Sequence, residues 1–218
     1  MTIRIFGIIC LLLVTACSPH KSPPPAVAPS AVAAQFKTLT FRTIPDISQN
    51  TMSKVVAITK QRLNLAKIRA LVKSGSNGYI QVTIRSTSPT PYVSKMLTSP
   101  GNVSFRIYPR GARYESRRPI SSAHVDKDPA DRTVLVFTLA DPKAFSAFTS
   151  EHLNQVLGTY IDGRLIETAT LESPIDDSGE LFSKALDPGE LQFLAAIMGS
   201  EPLPARLRFV SSSPLTVS

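Results

Sequence analysis

The chain has 218 residues, 43% of them hydrophobic, with 24 Lys+Arg against 16 Asp+Glu and a formal charge of +8. It holds 2 cysteines, and Cys10 falls inside an apolar leader, so once that leader is removed no intramolecular disulfide is expected and stability must come from a packed core. The charge is uneven: no acidic residue occurs from Ile47 to Tyr114, whereas acidic residues outnumber basic ones from Asp126 to Glu201, so two subdomains of opposite sign are expected.

Arg4 precedes the apolar run IFGIICLLLV at 5–14, the layout of a secretory signal. The run is about half as long as the roughly 20 residues a spanning helix needs. Val14-Thr15-Ala16-Cys17 is similar to a lipobox, with a branched apolar residue, two small ones and the cysteine. Residues 1–16 are therefore expected to be a lipoprotein signal peptide and Cys17 the site of lipid attachment. The membrane is then a partner through this anchor, since two or more acyl chains hold stably where one does not. Ser18 stands where an Asp would retain a lipoprotein at the inner membrane, which favours a periplasm-facing place on the outer membrane. Residues 17–35, rich in Pro, Ala and Ser, read as a semi-extended tether.

In chain order, FKTLTFR at 36–42 predicts a strand. Met52, Val55, Val56, Thr59 and Leu63 share one face of a helix ending near Asn64. Ile68, Ala70 and Val72, then SGSNG, then Ile80, Val82 and Ile84 give a hairpin with one buried face. A short helix over 91–98 and a strand over 103–108 complete the order strand, helix, strand, strand, helix, strand. That order fits a ferredoxin-like base over residues 36–110. The polar link 109–132 has no clear strand pattern.

VLVFTL at 134–139 predicts another strand. At Asp141-Pro142 an N-cap and a first helical residue stand side by side, before a helix carrying Phe145, Phe148 and Leu153. Asp162-Gly163, between apolar-bearing runs at 156–161 and 164–171, predicts a hairpin with a primed turn. A strand over 180–186 leads to a second helix start at Asp187-Pro188, with Leu191, Leu194, Ala195 and Met198 on one side and Gly199 at its end. ARLRFV supplies the last strand, and residues 213–218 are a tail. The expected class is α+β, a ferredoxin-like base followed by a mixed α+β head over 111–212.

Three stretches in order, ITKQRLN at 58–64 with YIQVTIRS after it, 134–175, and LFSKALDPGELQFLAAIMGSEPLPARL at 181–207, together resemble the first periplasmic domain of SecD. The resemblance implies a base carrying a head that contacts emerging preprotein and swings relative to the base. The chain departs from the SecD pattern in showing STSPTP at 86–91 where a Pro-Gly usually ends the hairpin strand. It also offers no transmembrane bundle, so energy coupling does not transfer with the resemblance.

Nothing in the sequence assembles a catalytic set, and no enzyme activity, cofactor or metal is expected. His20, His124 and His152 lack ligand spacing. Asp176, Asp177 and Glu180 read as a solvated loop. Ser178-Gly179 has no nucleophile-elbow context, and no glycine loop cradles phosphate. Phe145, Phe148, Leu191 and Leu194 read as core, with a ligand groove as the alternative. The expected function is polypeptide binding as an accessory in protein export or envelope assembly, with unfolded chains or Sec translocon components as partners and no nucleic acid. The alternative is a docking module of an envelope or secretion machine, contacting a protein or an anionic surface through Lys67, Arg69, Lys73 and Arg85.

Overall fold

The computed structural model describes residues 35–182 and 186–215. The signal segment, Cys17, His20 and nearly all of the tether lie outside the described residues, as do 216–218.

Strand β1 (Phe36–Ile44) turns Leu39, Phe41 and Thr43 inward and leaves the alternate residues toward solvent. Helix α1 (Gln49–Leu65) starts at Ser48, whose hydroxyl accepts a hydrogen bond from the Thr51 N–H at 3.3 Å. It buries Val55, Ile58, Thr59 and Leu63, while Met52 and Val56 pack at the edge of the core. Strands β2 (Ala70–Ser74) and β3 (Tyr79–Arg85) form the expected hairpin, followed by α2 (Thr90–Thr98) and β4 (Val103–Ile107).

The sequence order makes β4 the fourth strand of the base, and the structure corrects this. Strand β4 pairs instead with β7 (Val156–Ile161), while β10 (Arg206–Pro214) pairs with β1 and gives the sheet order β10-β1-β3-β2. The reason lies in burial. Four of the five residues of β4 are buried, which demands cover on both faces, whereas the base sheet is packed on one face only. The Arg206, Leu207, Arg208 alternation, with only Leu207 buried, suits an edge with one wet face. Residues 36–110 therefore do not close the base alone; the last strand completes it, and the head is inserted between.

The head holds two three-stranded antiparallel sheets. One is ordered β4-β7-β8, with β8 spanning Arg164–Thr170. The other is ordered β5-β6-β9, from Ile120–Lys127, Thr133–Leu139 and Ser178–Leu181. Strand β5 lies in the stretch where the sequence shows no clear pattern, because a register shift between Ile120 and Ser122 breaks the alternation. Among the described residues β9 ends at Leu181, short of the expected 186. The Asp162-Gly163 turn adopts the expected positive φ angles, 52° and 80°.

Helix α3 (Pro142–Ser150) is capped by Asp141, which accepts from the Ala144 N–H at 3.1 Å. It ends before Leu153, which is exposed. Phe145 meets Phe105 and Tyr114 edge-on at 4.8 and 4.9 Å between ring centroids. Helix α4 (Pro188–Met198) starts in a capping box formed by Asp187 and Glu190. It packs against α1 and α2 on one side and β5 and β6 on the other, and so belongs to both halves. Gly199 ends it with an ordinary negative φ of −79°. A Cβ there would lie 3.0 Å from the Ala123 N, so glycine is favoured by the close approach of β5 rather than by a left-handed cap.

Candidate functional site

Arg62 occupies the buried stripe of α1, one turn after Ile58, and is 0% exposed. Its Nε donates to the Ser200 hydroxyl at 2.9 Å, its Nη1 to the carbonyls of Met96 (2.9 Å) and Ser99, and its Nη2 to the Pro100 carbonyl at 3.1 Å. One side chain thus ties α1 to the end of α2 and to the segment after α4. Burial pushes the guanidinium down to about 10, while the Asp162 carboxylate pulls it back up. Gly101, at φ +86°, leaves room for this arrangement, since a Cβ there would stand 2.3 Å from Arg62 Nη2.

Asp162 completes the junction from the head side. Its carboxylate accepts from the Gly101 N–H at 2.9 Å, the Asn102 N–H at 2.8 Å and the Ser99 hydroxyl. The two chain segments that connect base and head also bond to each other, Leu203 N–H to the Pro100 carbonyl at 2.8 Å. Gln192 of α4 donates to the Leu65 carbonyl at the end of α1 at 2.7 Å.

Beside this junction α2, α4 and the β7–β8 hairpin enclose a cleft of about 410 Å³. Tyr92 and Met96 from α2, Leu165 and Ile166 from β8, and Phe193 and Leu194 from α4 form its apolar lining. Tyr92 and Phe193 stack at 5.7 Å with 15° between planes. Lys95, Asp162, Arg164 and Glu190 supply charges of both signs. Strand β8 is the last strand of its sheet, so its outward backbone groups border the same region. An apolar cleft with mixed charges and a strand edge can accept an extended peptide through ladder hydrogen bonds and side-chain pockets together.

Of the four apolar residues read from the sequence as core or groove, Phe145 and Leu191 are core, Phe148 packs at its margin, and Leu194 lines the cleft. Lys67 and Arg69 border a shallow groove between α1 and β2. Lys73 and Arg85 fall on the outer face of the base sheet, since they alternate with Val72 and Ile84. The four cations are exposed but do not form a single cluster. His124 lies 4.0 Å from Asp126, His152 Nδ1 is 2.7 Å from the Phe148 carbonyl, and Asp176 accepts from the Ser146 hydroxyl at 2.6 Å. Among the described residues no three His, Cys, Asp or Glu side chains converge on a metal position, and no helix is long and apolar enough to cross a membrane. Tyr92, Phe193 and the Arg62–Asp162 junction escape sequence reading. The available signal is an arginine on the apolar stripe of α1.

No family model matches the chain. Its architecture is that of an α+β domain with an inserted head, and it shares this fold with SecDF. It superposes on SecDF in its super-membrane-facing form with a TM-score of 0.67, at 14% identity, covering 81% of this chain and 30% of that one. A second SecDF chain, from a membrane component described as enhancing protein export, gives 0.59 at 15% identity, covering 80% and 98%. In sequence, 118 residues, 53% of this chain, are 30% identical to a protein translocase subunit SecD of Koribacter versatilis (strain Ellin345), of which they represent 22%. The chain carries a SecD-like domain.

Proposed function

We propose that this chain is a non-catalytic accessory of protein export or envelope assembly that binds extended polypeptide in the cleft between α2, α4 and β8. The observation that carries the reading is the apolar cleft beside a strand edge in a SecD-like domain. Backbone pairing along β8 gives affinity without a sequence requirement, as an unfolded client needs. Tyr92, Leu165 and Phe193 supply pockets for alternate apolar side chains.

A photo-crosslinking residue at Leu165 is expected to capture translocating chains or Sec components in cells; capture of neither, under conditions that label SecD itself, sinks the reading. Leu165→Asp combined with Tyr92→Asp is expected to weaken binding of an unfolded model peptide by roughly tenfold or more, since each side chain withdraws apolar surface worth about 1.5 kcal/mol or more. Fluorescence anisotropy measures the affinity and circular dichroism checks that the fold persists.

For its address, we propose that Cys17 carries the lipid and holds the domain on the periplasmic side of the envelope, with the outer membrane favoured. Metabolic labelling with palmitate is expected to mark the protein, and Cys17→Ser is expected to abolish the label.

A further inference from the structure

The face of the base sheet opposite the helices is a second surface, separate from the cleft. Its residues follow from the register. Arg42 lies opposite Arg208 on one neighbour and Tyr79 on the other, Ile44 opposite Arg206, Thr40 opposite Gln81, and Phe36 opposite Arg85. On β2, Leu71 and Lys73 lie opposite Thr83 and Gln81. No described element packs on this face. It therefore presents Arg42, Lys73, Arg85, Arg206 and Arg208 among Thr, Ser and Gln side chains.

Asp46 is the sole acidic residue from Gln35 to Gly101 and from Pro202 to Leu215, and it meets only Arg42, at 3.6 Å. Like charges directly opposite on one sheet face are destabilising, yet Arg42 and Arg208 sit so. An anionic surface laid against the sheet offsets that repulsion. The face is open rather than grooved, and of its two aromatic residues Phe36 sits at the very start of β1 while Tyr79 is already engaged by Arg42 at 5.6 Å, so it offers no run of stacking platforms for nucleic-acid bases. Ile44 and Leu71, 45% and 56% exposed, add apolar tips at its margins.

We propose that this sheet face docks on anionic phospholipid headgroups of a membrane leaflet. Phosphates accept hydrogen bonds from the guanidinium groups and hydroxyls, while Ile44 and Leu71 reach the headgroup boundary. The chain outside the described residues leads to Phe36, which is itself on this face. At a maximum of ~3.3–3.6 Å per residue the stretch 17–35 reaches no farther than about 65 Å, so an anchor at Cys17 keeps the face within that distance of a leaflet. Attraction falls off within about 8 Å at physiological salt, so the contact is a close one.

The test uses the chain from residue 17 onward, which contains every described element, with Cys17→Ser so that no acyl chain contributes. It is expected to sediment with phosphatidylcholine vesicles containing phosphatidylglycerol, not with phosphatidylcholine alone, and to be released by salt. Arg206→Glu with Arg208→Glu is expected to weaken this binding by about 30-fold or more, from the loss and reversal of two surface cations. Lys54→Glu with Lys60→Glu, on exposed positions of α1 across the helix layer, makes the same change in net charge and is expected to have little effect. Equal binding to neutral vesicles, equal loss in both double variants, or capture of an acidic protein in place of vesicles overturns the proposal. The cleft variants leave vesicle binding intact, so this proposal and the polypeptide reading fail separately.

Discussion

Arg62→Met is expected to lower unfolding stability by about 3–5 kcal/mol, a large part of the ~5–15 kcal/mol typical of a domain. Methionine fills similar space but donates nothing. The Ser200 hydroxyl and the carbonyls of Met96, Ser99 and Pro100 all lose their guanidinium donors, and each buried acceptor left without a partner costs about 1–3 kcal/mol. Urea denaturation measures the loss. Because these bonds join α1, the end of α2 and the segment after α4, proteolysis is expected to open first around residues 99–102 and 199–205. A variant with unchanged urea midpoint contradicts this account of the junction.

Phe145→Ala is expected to cost a similar ~3–5 kcal/mol, by a different route. The ring is 0% exposed and touches Phe105, Tyr114 and Phe148, which come from β4, the following loop and α3 itself. Its removal leaves a cavity that stiff aromatic neighbours cannot fill. The loss concentrates in the head, so hydrogen exchange is expected to accelerate in β4 and β7 before it does in β1 and β3. The Arg62 variant is expected to loosen both halves together.

Locally encoded features were legible in the sequence. The hairpin turns, the Asp-Pro helix starts and the alternation of β3 each depend on residues within a few positions of one another. The identity of the fourth base strand was not, because VSFRI and RLRFV are both short and apolar, and only the burial of both faces of β4 separates them. The cleft was hidden for a related reason. Tyr92, Leu165 and Phe193 each look like core in their own segments, and tertiary packing alone brings them together. The basic face was half seen: Lys73 and Arg85 stand in the acid-free stretch, while Arg206 and Arg208 follow the acidic head in sequence and rejoin the base only through β10.

Strand β10 also fixes an order of assembly. A chain made from its N-terminus forms α1, the β2–β3 hairpin and all of the head elements before Arg206 exists. Until then β1 is an open edge, with the Phe41 ring lacking its cross-strand neighbour Phe209. The head is a continuous stretch and can close on itself early, whereas the base depends on contacts that span nearly the whole described chain. The first of the described strands must wait for the last of them, and the base sheet is finished only once Arg206–Pro214 has been made.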